Sequence, residues 1–172
     1  MNEKIILIGM PGSGKSSIGK VLAEKMNIKF IDLDNELELA MNKKVTELFS
    51  TLGEPGFRKM EHEVLKRILP DNKFVLACGG GTPCFHSNMD LIKASGLSFY
   101  LFTDVNELEM RLKNNISERP LLNQSKNLLS TLEKLSSKRE LFFGRADFLM
   151  NCTKKNPAQI VDEILWVLKA ST

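Results

Sequence analysis

The stretch GMPGSGKS, Gly9 to Ser16, constrains the fold more than any other part of this chain. It fits the pattern of a glycine, four free positions, and then Gly-Lys-Ser. Before it stands a β-branched apolar run, residues 4–9, and after it an amphipathic segment with Ile18, Val21, Leu22 and Met26 at helical spacing. Glycines in such a loop let the backbone wrap with its N–H groups pointing inward, while the helix beginning near Ser16 aims its dipole at the same point. Lys15 adds a positive charge and Ser16 a hydroxyl suited to Mg²⁺, so the loop reads as a phosphate cradle.

The remainder repeats the alternation. A helix over residues 16–26 leads to a second strand at 28–33, short helices at 35–41 and 45–52, and a longer helix at 54–69 entered through Pro55. A third strand covers 74–78, part of a helix 89–94, and a fourth strand 97–102. Asp104 is placed to cap a helix running to residue 112. Residues 114–126 are polar, contain Pro120 and show no period, which reads as a long functional loop, a lid. A helix over 128–145, a strand at 147–151 and a closing helix at 157–169 follow. Strands alternating with helices argue for a parallel sheet covered on both faces, with ligands at the carboxyl ends of its strands.

Composition excludes several classes. A chain of 172 residues is of single-domain length, and 42% hydrophobic with 26% charged residues is ordinary for a globular protein. Lys and Arg number 24 against 21 Asp and Glu, a net of +3, and the lysines are scattered, so nucleic acid is not an expected partner. The apolar run before Gly9 is too short for a signal peptide and no later segment reaches membrane-spanning length. The three cysteines are odd in number and lack CxxC spacing, as free thiols in a reducing compartment would be. A cytoplasmic protein away from membranes is the expectation.

Phosphate-transfer proteins of this kind also need a carboxylate at a strand end to position the metal. FVLACGGGTP offers none, whereas KFIDLDNELE offers Asp32 and Asp34, two residues apart and so on one side of an extended chain. One would hold the metal through water and the other face a nucleophilic hydroxyl. The plainer alternative is that Asp34 caps the next helix.

With these motifs assembled, the chain resembles the shikimate kinases over nearly its whole length. The P-loop, DLDNELE, VTELFSTLGEPGFRKME, LACGGGTP, ERPLL and KRELFFGRAD occur in the family's order. The resemblance implies an α/β P-loop NTPase fold of the nucleoside monophosphate kinase-like type, three layers around a five-stranded parallel sheet. It implies one kinase domain over 1–172, with a helical shikimate-binding region at 34–70 and a lid at 113–126. The implied activity is transfer of the ATP γ-phosphoryl group to the 3-hydroxyl of shikimate, on the path to aromatic amino acids, by a monomer using Mg²⁺. ATP would be bound by Gly12, Ser13, Gly14, Lys15, Ser16 and Ser17, with Arg111 and Pro157 about the adenine and Arg119 descending from the lid onto the transferring phosphate. Ser16 and Asp32 would position Mg²⁺. Asp34 would bind the acceptor hydroxyls and act as base or orienter, Arg58 would clamp the shikimate carboxylate, and Gly79, Gly80 and Gly81 would stay bare to admit the substrate. Lys15, Asp34 and Arg119 would be the catalytic set.

Arg58 and Glu61, three apart on a helix, share a face, so Glu61 would aim the guanidinium fork; an exposed ion pair is the bland alternative. The second carboxylate-binding arginine falls in a departure from the family pattern. An ungapped count reaches Lys138, a one-residue shift reaches Arg139, which fork chemistry favours, and Arg145 is a third candidate. Cys78 reads as an inert packed thiol, and His62 and His86 as surface or capping residues. Two rival readings are another small-molecule kinase of this fold, such as a gluconate kinase, and a catalytically silent ATP-binding module.

Overall fold

Ile5, Ile6, Leu7 and Ile8 have no solvent exposure, so the first strand is apolar on both faces because both faces are covered. The structure is a computed structural model, and it describes residues 4–113, 120–123 and 127–171. Strand β1 (Lys4–Ile8) is followed by α1 (Lys15–Met26), β2 (Lys29–Asp32), α2 (Leu33–Met41), α3 (Val45–Ile68), β3 (Phe74–Ala77) and α4 (Asn88–Ser95). Then come β4 (Leu97–Phe102), α5 (Val105–Leu112), the single turn α6 (Pro120–Asn123), α7 (Leu128–Phe143), β5 (Phe148–Asn151) and α8 (Pro157–Ala170). A 3₁₀ turn at Thr82–Cys84, unexpected from the sequence, lies between β3 and α4.

The sheet has five parallel strands in the order β2-β3-β1-β4-β5. Alternate side chains of the central strands enter separate cores. Ile6, Ile8, Leu76 and Tyr100 pack with residues of α2, α3, α5 and α7 on one face. Ile5, Leu7, Val75, Phe99 and Leu101 pack with Ile18 and Leu22 of α1 and Ile160 and Ile164 of α8 on the other. This is the three-layer α/β/α arrangement. Each fully buried Ile or Leu contributes about 1.5–3 kcal/mol relative to exposure, so β1 alone anchors both layers.

The topology also places the crevice. From β1 the chain crosses toward β2, whereas from β3 it crosses back over β1 to β4. Adjacent strands β1 and β3 thus send their connections in opposite directions, and the gap at their carboxyl ends is where ligands enter such sheets.

The break expected between helices 45–52 and 54–69 is present, several other boundaries shift by one or two residues, and the turn α6 falls inside the segment 114–126 expected to be loop. The helices expected at 45–52 and 54–69 form one run, α3, broken by non-helical geometry at Gly53 (φ 65°, ψ 172°), with Pro55 in the first turn beyond the break. Helix α2 begins at Leu33 rather than 35, because the Asp32 side chain caps it by accepting the Asp34 N–H at 3.1 Å. The capping residue is therefore Asp32, and Asp34 stands in the helix's first turn, not on an extended strand.

Candidate active site

Gly14, at φ 91°, turns the chain into α1 in a left-handed conformation that a side chain would strain. Lys15 follows, 9% exposed, and its ammonium donates to the Gly9 and Met10 carbonyls at 3.0 and 2.9 Å. The loop thus holds its own lysine at the mouth of the crevice. Beside it the Ser16 hydroxyl donates to Asp32 Oδ2 at 2.6 Å. Two hard oxygen ligands side by side would suit Mg²⁺, whose remaining positions would be filled by phosphate oxygens and water. Among the described residues no group of three or more His, Cys, Asp or Glu could hold a metal by itself.

On the acceptor side, Arg58 and Glu61 are not a solvated surface pair. Their side chains are 6% and 1% exposed, and Arg58 Nη1 donates to Glu61 Oε2 at 2.9 Å. Glu54 Oε1 accepts from Arg58 Nη2 at 3.2 Å, and the guanidinium carbon lies 4.6 Å from the Phe85 ring centroid. Glu61 Oε1 accepts the Thr82 hydroxyl at 2.6 Å, so both carboxylate oxygens are occupied. The fork is fixed in place before any ligand arrives.

The triple glycine lies against this cluster, for a reason the sequence did not suggest. A Cβ on Gly79 would come within 2.7 Å of Glu61 Oε1 and 3.1 Å of Asp34 Oδ1, one on Gly80 within 2.8 Å of Pro11 Cδ, and one on Gly81 within 2.5 Å of Arg58 Nη2. The protein's own side chains press onto these backbones. Bareness here lets Asp34, Arg58 and the P-loop converge on one strand end.

Arg139 projects from α7 into the same cleft and is 5% exposed, whereas Lys138 is exposed and Arg145 pairs with Asp90 on the surface. Among the described residues the hydrogen-bond partner of Arg139 is the Met10 sulfur, 3.8 Å from Nη1. Burial lowers its pKa from the usual arginine value, and repulsion from Arg58 adds to the lowering. A buried guanidinium near a second one, hydrogen-bonded among the described residues to a thioether and facing the Glu54 and Glu61 charges only at a distance, is suited to receive an anion.

Arg111 donates to the Gly12 carbonyl at 3.2 Å, pairs with Glu107, and lines the cleft together with Pro157. Arg119 and most of the 113–126 lid expectation lie outside the described residues. Cys78 is buried on the cleft floor; burial, with Glu61 next, pushes its thiol far above the ordinary range, so it is unreactive. The cleft encloses about 1050 Å³, more than the 300–1,000 Å³ usual for one small ligand. It takes in Gly12, Ser13, Gly14, Lys15, Ser16, Ser17, Asp32, Asp34, Arg58, Gly79, Gly80, Gly81 and Arg139. Sequence reasoning missed Thr82, whose hydroxyl has no signature of its own; its place after the triple glycine was the available hint.

This cleft, with a phosphate loop at one end and a buried pair of arginines at the other, is that of a P-loop kinase for a small anionic acceptor on a nucleoside monophosphate kinase-like fold. The family profile described as Shikimate kinase matches residues 11–169. A curated shikimate kinase from a Sulfurihydrogenibium species is 37% identical over 167 residues, covering 97% of this chain and 98% of the relative. One from Flavobacterium psychrophilum is 39% identical over 170 residues, covering 96% and 99%. The chain belongs to the shikimate kinase family. A solved shikimate kinase from Acinetobacter baumannii in complex with shikimate superposes with a TM-score of 0.94 at 29% identity, over 98% of this chain and 94% of that one. A gluconokinase from Sinorhizobium meliloti, at TM-score 0.64 and 19% identity over 98% and 93%, shares the fold alone.

Proposed function

We propose that this chain is an ATP-dependent kinase that phosphorylates the 3-hydroxyl of shikimate, releasing ADP. The observation that carries the proposal is Arg139, buried, facing the cleft and answered by a sulfur, across from the preset Arg58. Together they offer two charged forks to one carboxylate, which gluconate and shikimate both possess; the family membership decides for shikimate.

The chain's own groups take these parts. The P-loop N–H groups, Lys15 and Ser17 bind the nucleotide phosphates, and Arg111 and Pro157 flank its adenine. Ser16 and Asp32 would hold Mg²⁺, which would supply charge neutralisation to the nucleotide phosphates. Asp34 accepts a hydrogen bond from the acceptor hydroxyl and aligns it; a loose phosphoryl-transfer transition state asks little more of a base. The N–H groups of Gly79, Gly80 and Gly81 face the acceptor from the floor. Arg119, in the expected lid at 113–126 and outside the described residues, would meet the charge that develops on the transferring phosphoryl. The helical segment 34–70 supplies the acceptor side.

We further propose a cytoplasmic monomer without nucleic-acid or membrane partners. In support, Cys78, Cys84 and Cys152 are all free thiols, and among the described residues no helix is long and apolar enough to cross a membrane.

The test is a panel of ATP-dependent assays with shikimate, gluconate and AMP, following ADP and phosphorylated product. Turnover with shikimate alone is expected; turnover with gluconate or AMP and none with shikimate would overturn the proposal. In the same assay Asp34→Asn should lower kcat at least about a hundredfold while leaving nucleotide affinity intact.

A further inference from the structure

The pair formed by Arg58 and Glu61 continues beyond Thr82. Asn88, the first residue of α4, has no solvent exposure, and its amide spans two partners. Nδ2 donates to the Thr82 carbonyl at 2.8 Å, and Oδ1 lies 2.6 Å from His62 Nδ1. A main-chain carbonyl can only accept, so the amide nitrogen must face Thr82 and the amide oxygen must face His62. That oxygen also only accepts, so His62 Nδ1 must carry a proton. The line of bonds runs from the half-buried His62 through Asn88 to the main chain of Thr82, whose hydroxyl donates to Glu61, which holds Arg58.

The geometry closes on itself. His62 and Glu61 are neighbours on α3, and both grip the segment leading from β3 to α4, Glu61 at Thr82 in its middle and His62 at Asn88 where α4 begins. That segment needs gripping. His86 and Ser87 have φ of 51° and 56°, two non-glycine residues in succession in the left-handed region. The glycines at its start are those pressed against Asp34, Pro11 and Arg58. Neither His62 nor Asn88 lines the cleft, so each reaches the acceptor through intermediates: Thr82 and Glu61, and Phe85, whose carbonyl accepts the Asn88 N–H at 2.9 Å and whose ring lies over Arg58.

We propose that His62 and Asn88 are positioning residues for the acceptor's carboxylate clamp, setting the direction of Arg58 from behind the site. This rests on the reading of Arg58 as a clamp for the shikimate carboxylate. A network of this kind acts on acceptor binding rather than on the nucleotide, because among the described residues it meets the cleft at its acceptor end, through Glu61, Phe85 and the glycine floor.

The test has two arms. In the first, ¹⁵N spectra of the imidazole ring are recorded on the full chain without substrate, at a pH where His62 is neutral. The Nδ1–H tautomer is expected, and the Nε2–H tautomer would overturn the network whatever the substrate proves to be. In the second, His62→Ala is expected to raise the KM for shikimate about fivefold, with kcat and the KM for ATP within about twofold of the parent. His62→Asn, whose amide N–H falls near the position of Nδ1, is expected to restore the parent KM. An unchanged KM for shikimate in His62→Ala, an equal rise in the KM for ATP, or no rescue by Asn would overturn the proposal. Should the parent fail to phosphorylate shikimate, the proposed function falls by that result, while the ring tautomer still decides the network.

Discussion

Replacing Glu61 by Gln removes one charge from a pair whose side chains are 6% and 1% exposed and leaves the shape almost unchanged. Breaking a fully buried pair from one side costs about 3–5 kcal/mol, because the remaining ion stays desolvated and unanswered. Here Arg58 keeps a second carboxylate, Glu54 at 3.2 Å, but that partner is 39% exposed and only partly compensates. The expected loss is therefore about 2–3 kcal/mol, which at this chain length corresponds to a fall in Tm of about 5–10 °C. Urea unfolding of the parent, Glu61→Gln, Arg58→Met and the double variant gives the coupling directly. The double variant should be more stable than the sum of the two single losses requires, by about 1–3 kcal/mol, since it strands neither charge. A Glu61→Gln protein within about 0.5 kcal/mol of the parent, or losses that simply add, would refute the claim that the pair is desolvated.

Two further outcomes follow from single side chains. Arg139→Met should raise the KM for shikimate at least about tenfold while Lys138→Met leaves it unchanged, and the reverse pattern in steady-state kinetics would show that α7 is rotated from its place here. At Asp147, burial raises the carboxyl's pKa, but the Ser98 hydroxyl and N–H and the Lys93 ammonium together bring it below the usual value. A lowered folded pKa means that this group's stabilisation is fully present above the unfolded value of about 3.9 and is lost as pH falls through the folded value. Acid titration of Asp147→Asn should therefore show a stability deficit at neutral pH that shrinks below about pH 4, and a constant deficit would refute the assignment.

Much of the site was legible along the chain because its parts are local. The P-loop occupies Gly9 to Ser16 without interruption, and strand, turn and helix are all encoded within it. The α5 start at Asp104 and the Gly53 break in α3 were equally readable, since a cap and a left-handed glycine act within a few residues. The end of β2 was not, because Asp32 and Asp34 are both capping residues by composition and the bonding decides between them. The choice between Lys138 and Arg139 was also open, as neighbouring helical residues point about a quarter turn apart and only packing tells which turns inward.

The alternation of apolar strands with amphipathic helices, together with the phosphate loop, determined by itself that this chain makes a covered parallel sheet with a phosphate site at its carboxyl edge. Those features depend on periodicity and short-range backbone geometry, which are properties of consecutive residues. Only the tertiary structure decided that Arg58 and Glu61 are buried, that Thr82, Asn88 and His62 stand behind them, and that the three glycines are bare because other side chains lean on them. Those facts join α3 to the β3–α4 segment across some twenty positions of chain, and desolvation at such a junction belongs to neither segment alone.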